Sequence, residues 1–158
     1  MAVVQDVYNN APAKGFAGQV RNGETSNRIS RTCEDDAGIA FGAPVYQGSQ
    51  DHTCTGVIGT LATFLGFAIA DHGVQVLPGG VGADIYPRDA SVGICTMGEM
   101  CVNAVGANAV RAPVTIGKGA GAADGIGDIA ADATHIATDG WQFDETVAAS
   151  GLAFIVKR

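Results

Sequence analysis

Ile39-Ala-Phe-Gly-Ala-Pro-Val-Tyr46 puts Ile39, Phe41, Ala43 and Val45 at every second position, with Ala40, Gly42, Pro44 and Tyr46 between them. A period of two marks a strand with one buried face, because successive side chains on extended backbone point to opposite sides. Pro44 has no amide to give to a ladder, so the segment predicts a strand that lies at a sheet edge or carries a bulge.

The same pattern recurs on both sides of this stretch. Val57 to Ala70 is the longest apolar run, yet Gly59, Thr60, Thr63 and Gly66 interrupt it. It is too short to span a bilayer as a helix, and its β-branched and aromatic content predicts two short strands or one bent strand. Val74-Gln-Val76, Ser91-Val-Gly-Ile-Cys95 and Met100-Cys-Val-Asn103 read as further strands, with Pro78-Gly-Gly80 as a turn and Met97-Gly-Glu99 as the corner of a hairpin. Asn22-Gly23 has the composition of a tight turn. Pro113-Val-Thr-Ile-Gly117 is another strand, and Lys118 to Gly127 is too poor in bulky groups to read as anything but an exposed loop. His135-Ile136, Trp141-Gln-Phe143 and Leu152-Ala-Phe-Ile-Val156 give three more strands, which leaves room for a helix only around Asp128 to Ala133. Ala43-Pro-Val-Tyr-Gln-Gly48 and Ala112-Pro-Val-Thr-Ile-Gly117 share A-P-V-x-x-G, an echo compatible with a pseudo-duplicated layout or with chance in so alanine-rich a chain.

Many short strands joined by glycine-rich turns predict an all-β fold, a small β-sandwich or jelly-roll-like barrel. Composition agrees. The chain has 158 residues, of which 23 are glycine, and only 16% are charged. Glycine inside a helix costs about 1 kcal/mol relative to alanine, so coiled coils and helical repeats are poor candidates. With 47% hydrophobic residues, the length suffices for one core and one domain. The first 31 residues hold Lys14, Arg21, Arg28 and Arg31 against Asp6 and Glu24, net +2, so within the chain's total of −7 the remainder carries −9. We therefore expect an extended, mildly basic arm over 1–31 and an acidic single-domain body over 32–158. Acidity argues against wrapping nucleic acid, which needs clustered cations. Met1-Ala-Val-Val-Gln-Asp6 lacks the cationic and apolar regions of a secretory signal, so synthesis in the cytoplasm is expected.

Catalytic patterns are weak. Gly117-x-Gly119-x-x-Ala122 follows an apolar strand, but Asp124-Gly-Ile-Gly127 breaks the helix that a dinucleotide pyrophosphate would need. No serine sits in G-x-S-x-G. His52 and His72 each follow an aspartate, Asp51 and Asp71, and adjacent residues on a strand face opposite ways. Glu34-Asp-Asp36 lacks the spacing of a calcium loop and reads as a solvated turn. Cys33, Cys54, Cys95 and Cys101 form no C-x-x-C pair; they read as buried thiols, as disulfides formed in an oxidising medium, or as metal or catalytic groups. Cys33 and Cys54 flank the Phe41 strand and are the candidate bridge, within a chain or across subunits.

Four segments in order resemble the structural cement, or decoration, proteins of tailed-phage capsids. They are Arg28 to Gly48, containing Ile39-Ala-Phe-Gly-Ala-Pro-Val-Tyr-Gln-Gly48; Phe64-Leu-Gly-Phe-Ala-Ile-Ala-Asp71; Ser91 to Val102 followed by Ala109-Val-Arg-Ala-Pro-Val114; and Trp141 followed by Ala149 to Val156. Thr96-Met97 stands where basic residues are usual, and the cysteines are not part of the pattern. The resemblance implies a β-sandwich or jelly-roll-like body, no enzymatic activity, no cofactor and no metal. It implies a place on the outer capsid surface of the virion, bound to the major capsid protein and to itself as a homodimer or homotrimer, with no membrane partner and no direct nucleic-acid contact. In that role Val3, Val4, Val7, Tyr8 and Phe16 would be apolar anchors, and Arg21, Arg28 and Arg31 partners for capsid carboxylates. The alternatives are a tail- or fibre-associated β module, or a small β-barrel sugar-binding domain or enzyme using His52, His72, Asp51 and Asp71.

Overall fold

One long strand organises the molecule. In the computed structural model, residues 15–21, 25–71, 73, 84–119, 121 and 125–158 are described. Within them Ser91 to Ala104 form a single strand of 14 residues, β7 once the others are numbered. Before it come β1 (Asn27–Cys33), β2 (Ile39–Ala40), β3 (Pro44–Gln47), β4 (Thr53–Thr55), β5 (Phe64–Ala68) and β6 (Ile85–Tyr86); after it come β8 (Pro113–Gly117), β9 (Ile126–Gly127), β10 (His135–Phe143) and β11 (Gly151–Lys157). Nine strands run in the order β1-β4-β3-β5-β7-β11-β10-β8-β9, and the further pairings β1–β7 and β7–β9 close both ends of that row back onto β7. The result is two closed circuits of strands with β7 in common. The all-β barrel expected from the sequence is the observed fold.

Each circuit wraps its own core. Ile39, Phe41, Val45, Tyr86, Val92 and Ile94 fill the first. Met100, Val102, Val114, Trp141, Phe143 and Ile155 lead the second. Strand β7 gives its leading half to one core and its trailing half to the other, which is why Met97-Gly-Glu99 is no hairpin corner. Gly98 instead takes φ +126°, a conformation that favours glycine, and the strand continues while its partners change. On one edge β1 pairs with Ser91 to Met97. Beyond Gly98 that edge is taken by Val20, bridged to Met100.

The strand expected over Ile39 to Tyr46 is split. A turn at Phe41-Gly42 separates β2 from β3, with Gly42 at φ +73°. Ile39, Phe41 and Val45 are buried as the period requires, but so is Tyr46. The cause is a register shift between Val45 and Tyr46 against β5, the bulge that Pro44 foretold. The Val57–Ala70 run yields one strand, β5, preceded by a 3-10 turn at Leu61–Thr63. Asp128 to Ala133 is not helical. Lys118 to Gly127 is not simply an exposed loop, because Ile126 and Gly127 form β9 and are buried against β7 and β8. The expected turns at Asn22-Gly23 and Pro78-Gly80 and the strand at Val74–Val76 lie outside the described residues.

The A-P-V-x-x-G echo has a structural counterpart. Its two copies become β3 and β8, each the second strand from β7 in its own circuit, through β5 and β9 respectively. The likeness is partial, since β5 runs antiparallel to β7 and β9 parallel.

Candidate functional site

The segment leading into β1 is strapped along β7. Gly18 N donates to Cys101 O at 2.8 Å, Cys101 N to Gln19 O at 2.9 Å, and Arg21 N to Glu99 O at 3.0 Å. On the opposite side Ala70 N donates to Gly18 O at 2.8 Å. Gly18 is needed at this crossing, because a Cβ there would stand 2.6 Å from Ala70 N. The strap ends in an ion pair: Arg21 Nη1 meets Glu99 Oε1 at 2.5 Å, and the guanidinium lies 4.9 Å over the Phe154 ring. Glu99 is 5% exposed, so its carboxylate is a buried charge that Arg21 neutralises. The bond to Glu99 in turn raises the Arg21 pKa.

The residues singled out in the sequence are thus placed differently from one another. Arg21 serves Glu99 and Phe154. Arg28 and Arg31 lie in β1, inside the sheet, although they fall within the range expected of the arm. Arg28 is exposed and donates to Ser26 Oγ at 3.2 Å, while Arg31 donates to Ser30 O at 3.0 Å. Phe16, 44% exposed, stands immediately upstream of the strap. It borders a groove of about 530 Å³ shared with Ala40, Phe41, Ile85 and Leu152. Val3, Val4, Val7 and Tyr8 lie outside the described residues.

Cys33 and Cys54 are buried free thiols and direct register partners on the parallel strands β1 and β4. Burial pushes the Cys54 thiol up to about 12 and raises Cys33 as well, so neither is a ready nucleophile. His52, Asp51 and Asp71 are exposed, and His72 lies outside the described residues. No group of three His, Cys, Asp or Glu side chains among the described residues is placed to hold a metal ion.

Two features were missed in the sequence. Asp132 caps the start of β10: its Oδ1 accepts from Thr134 N at 2.6 Å, Thr134 Oγ1 at 2.8 Å and His135 N at 2.9 Å, with His135 Nδ1 at 3.1 Å. These donors hold its carboxyl at about 2. The D-x-T order was the available signal. The other feature is Glu34-Asp-Asp36, which does more than turn. Glu34 accepts from Ser49 N at 2.9 Å and Ser49 Oγ at 2.9 Å, and Asp35 accepts from Thr55 Oγ1 at 2.7 Å and Gly56 N at 2.5 Å. The acids brace the loops on either side of β4, a contact that sequence spacing could not show.

A closed β body, with a strap fixing its leading segment and apolar side chains held at its surface, defines a rigid binding module. Its fold is shared with a solved structure titled "The capsid of Myoviridae Phage XM1", at a TM-score of 0.64 and 16% identity, covering 94% of this chain and 96% of the other. The family described as structural cement protein (E217 gp24/Pam3 gp6) matches residues 4–157, and the chain belongs to that family. It is a phage capsid cement, or decoration, protein, a virion component that associates with capsid proteins. No curated protein matches the sequence.

Proposed function

We propose that this protein binds the outer surface of the major capsid protein lattice, as a homodimer or homotrimer, and stiffens the head by bridging neighbouring subunits. Its work is mechanical rather than catalytic, and no cofactor takes part. The observation that carries this reading is the strap. Three backbone hydrogen bonds and the Arg21–Glu99 pair fix residues 18–21 to the central strand, and a fourth ties Gly18 to Ala70, so load taken by the leading segment passes directly into the barrel. Phe16 marks where that segment meets the body, and Val3, Val4, Val7 and Tyr8 supply apolar anchors further up. Apolar side chains on a tethered segment gain affinity by burial on a partner, and the body supplies the rigidity. Arg28, exposed on β1, is the cation available to a capsid carboxylate; Arg21 is committed to Glu99.

Removing residues 1–12 tests this. The truncated protein, its barrel intact by circular dichroism, is expected to decorate cement-free shells poorly in a co-sedimentation assay. Wild-type occupancy by the truncated protein would overturn the arm reading.

A further inference from the structure

The loop between β4 and β5, Gly56-Val-Ile-Gly-Thr-Leu-Ala-Thr63, carries no charge. Two of its three large side chains are presented to solvent: Val57 is 69% exposed and Leu61 49%, while Ile58 is half-buried. Hydrogen bonds hold them there. Gly56 N donates to Asp35 Oδ2 at 2.5 Å, Val57 N to Thr55 Oγ1 at 3.0 Å, Thr60 N to Thr63 Oγ1 at 3.0 Å, and Thr63 N to Thr60 O at 3.1 Å. A framed loop that keeps Val57 in water forgoes burial that a folding chain would otherwise take.

Val57 also borders a groove of about 520 Å³ with an apolar floor of Ile39, Ala40 and Ala43 and a rim of Glu34, Asp35 and Asp36. Arg88 pairs with Asp36 at 2.5 Å, which leaves three carboxylates against one guanidinium. Ala40 lines both this groove and the one beside Phe16, so the two surfaces adjoin across β2.

We infer that the Val57–Leu61 loop and the acidic groove beside it form a second docking surface, taken by a segment of the shell protein that carries an apolar side chain next to lysine or arginine. The inference rests on the cement reading and adds to it. Charge decides the occupant. The body of a second copy, with five basic and fourteen acidic groups over residues 32–158, would bring like charge to an acidic rim, whereas a basic partner is drawn to it. The apolar floor and loop supply the contact area, and the rim sets orientation and partner choice.

The test uses cement-free shells of the cognate phage and the full-length chain with Val57→Ser/Leu61→Ser or Asp36→Lys. The double variant is expected to raise the concentration for half-occupancy by about tenfold or more. Asp36→Lys weakens binding more at low than at high salt, because the lost attraction is screened. Thermal melting of the free variants stays near wild type, since all three side chains are exposed. Wild-type half-occupancy for both variants overturns the inference. So does a double variant that decorates normally but loses self-association in light scattering, which assigns the surface to a second copy. Normal binding by both variants, with binding lost on removal of residues 1–12, sinks this inference alone. Failure of the wild-type chain to bind shells at all sinks the lattice-binding reading beneath it.

Discussion

Asp132 shows how a single carboxylate can set part of the pH response. Its pKa in the folded chain, about 2, lies below the 3.8 of a free aspartate. A depressed carboxylate contributes stability that is complete above its unfolded pKa and is lost as pH falls through the folded one. The contribution is therefore whole above about pH 4 and disappears between about pH 4 and pH 2. Asp132→Ala is expected to lower the urea midpoint at pH 6 and to narrow the gap from wild type at pH 2, where the wild-type carboxyl is itself protonating. A gap that stays constant across that range would show that the backbone amides of Thr134 and His135 do not depend on the ionised form. At this scale the sequence was informative about residue type and silent about partners. Arg21 was legible as a cation, but Glu99 lies 78 positions away, and nothing local announces that a buried carboxylate will claim it. The cysteines were legible as small apolar groups, and their burial follows from the strands that carry them.

Elements were legible where periodicity acts alone and misread where a strand serves two cores. Met97-Gly-Glu99 has the composition of a turn, and a hairpin was the economical reading. The structure uses that glycine to pass one strand from the first circuit to the second. Gly66, in β5, has the complementary task. At φ +150° it lets β5 approach β7 so closely that a Cβ would stand 2.1 Å from Cys95 O. A backbone carbonyl blocks Gly66, whereas Gly98 is opposed less closely, by Ser26 Cβ at 2.8 Å from its Cβ position. Gly66→Ala is therefore expected to cost about 3 kcal/mol or more, and Gly98→Ala about 1–2 kcal/mol. Chemical unfolding of both variants checks the order. A Gly98→Ala loss equal to or larger than that of Gly66→Ala would mean that the continuity of β7, rather than its spacing from β5, is the tighter constraint. The bulge at Val45-Tyr46 was readable because proline removes a donor whatever the fold; β9 was not, because a lone isoleucine between Gly125 and Gly127 carries no period.

The whole molecule joins two cores through one strand, and an aromatic series reinforces the joint. Tyr46 meets Phe64 at 5.6 Å, Phe64 meets Phe67 at 5.4 Å, and Phe67 meets Trp141 at 5.1 Å, all edge to face. The series runs from β3 in the first circuit to β10 in the second, and each such contact adds about 0.5–1.5 kcal/mol beyond the area it buries. Neither core can open without stripping half of β7 and exposing this series, so the two are expected to unfold together. Two probes report on them separately. Trp141, the single tryptophan, senses the second core, and in a Cys95→Ala/Cys101→Ala background the buried Cys33 and Cys54 become open to alkylation when the first gives way. Fluorescence and thiol-labelling midpoints should coincide in urea. Phe67→Ala removes one of the two inner rings of the series and should cost about 3–5 kcal/mol of stability, lowering both midpoints while keeping them together, because β7 still belongs to both circuits. If the midpoints separate with Phe67 in place, the circuits are independent units, and load entering through the strap would be borne by one core rather than shared. If they separate only in Phe67→Ala, the rings, not the shared strand, make the body rigid.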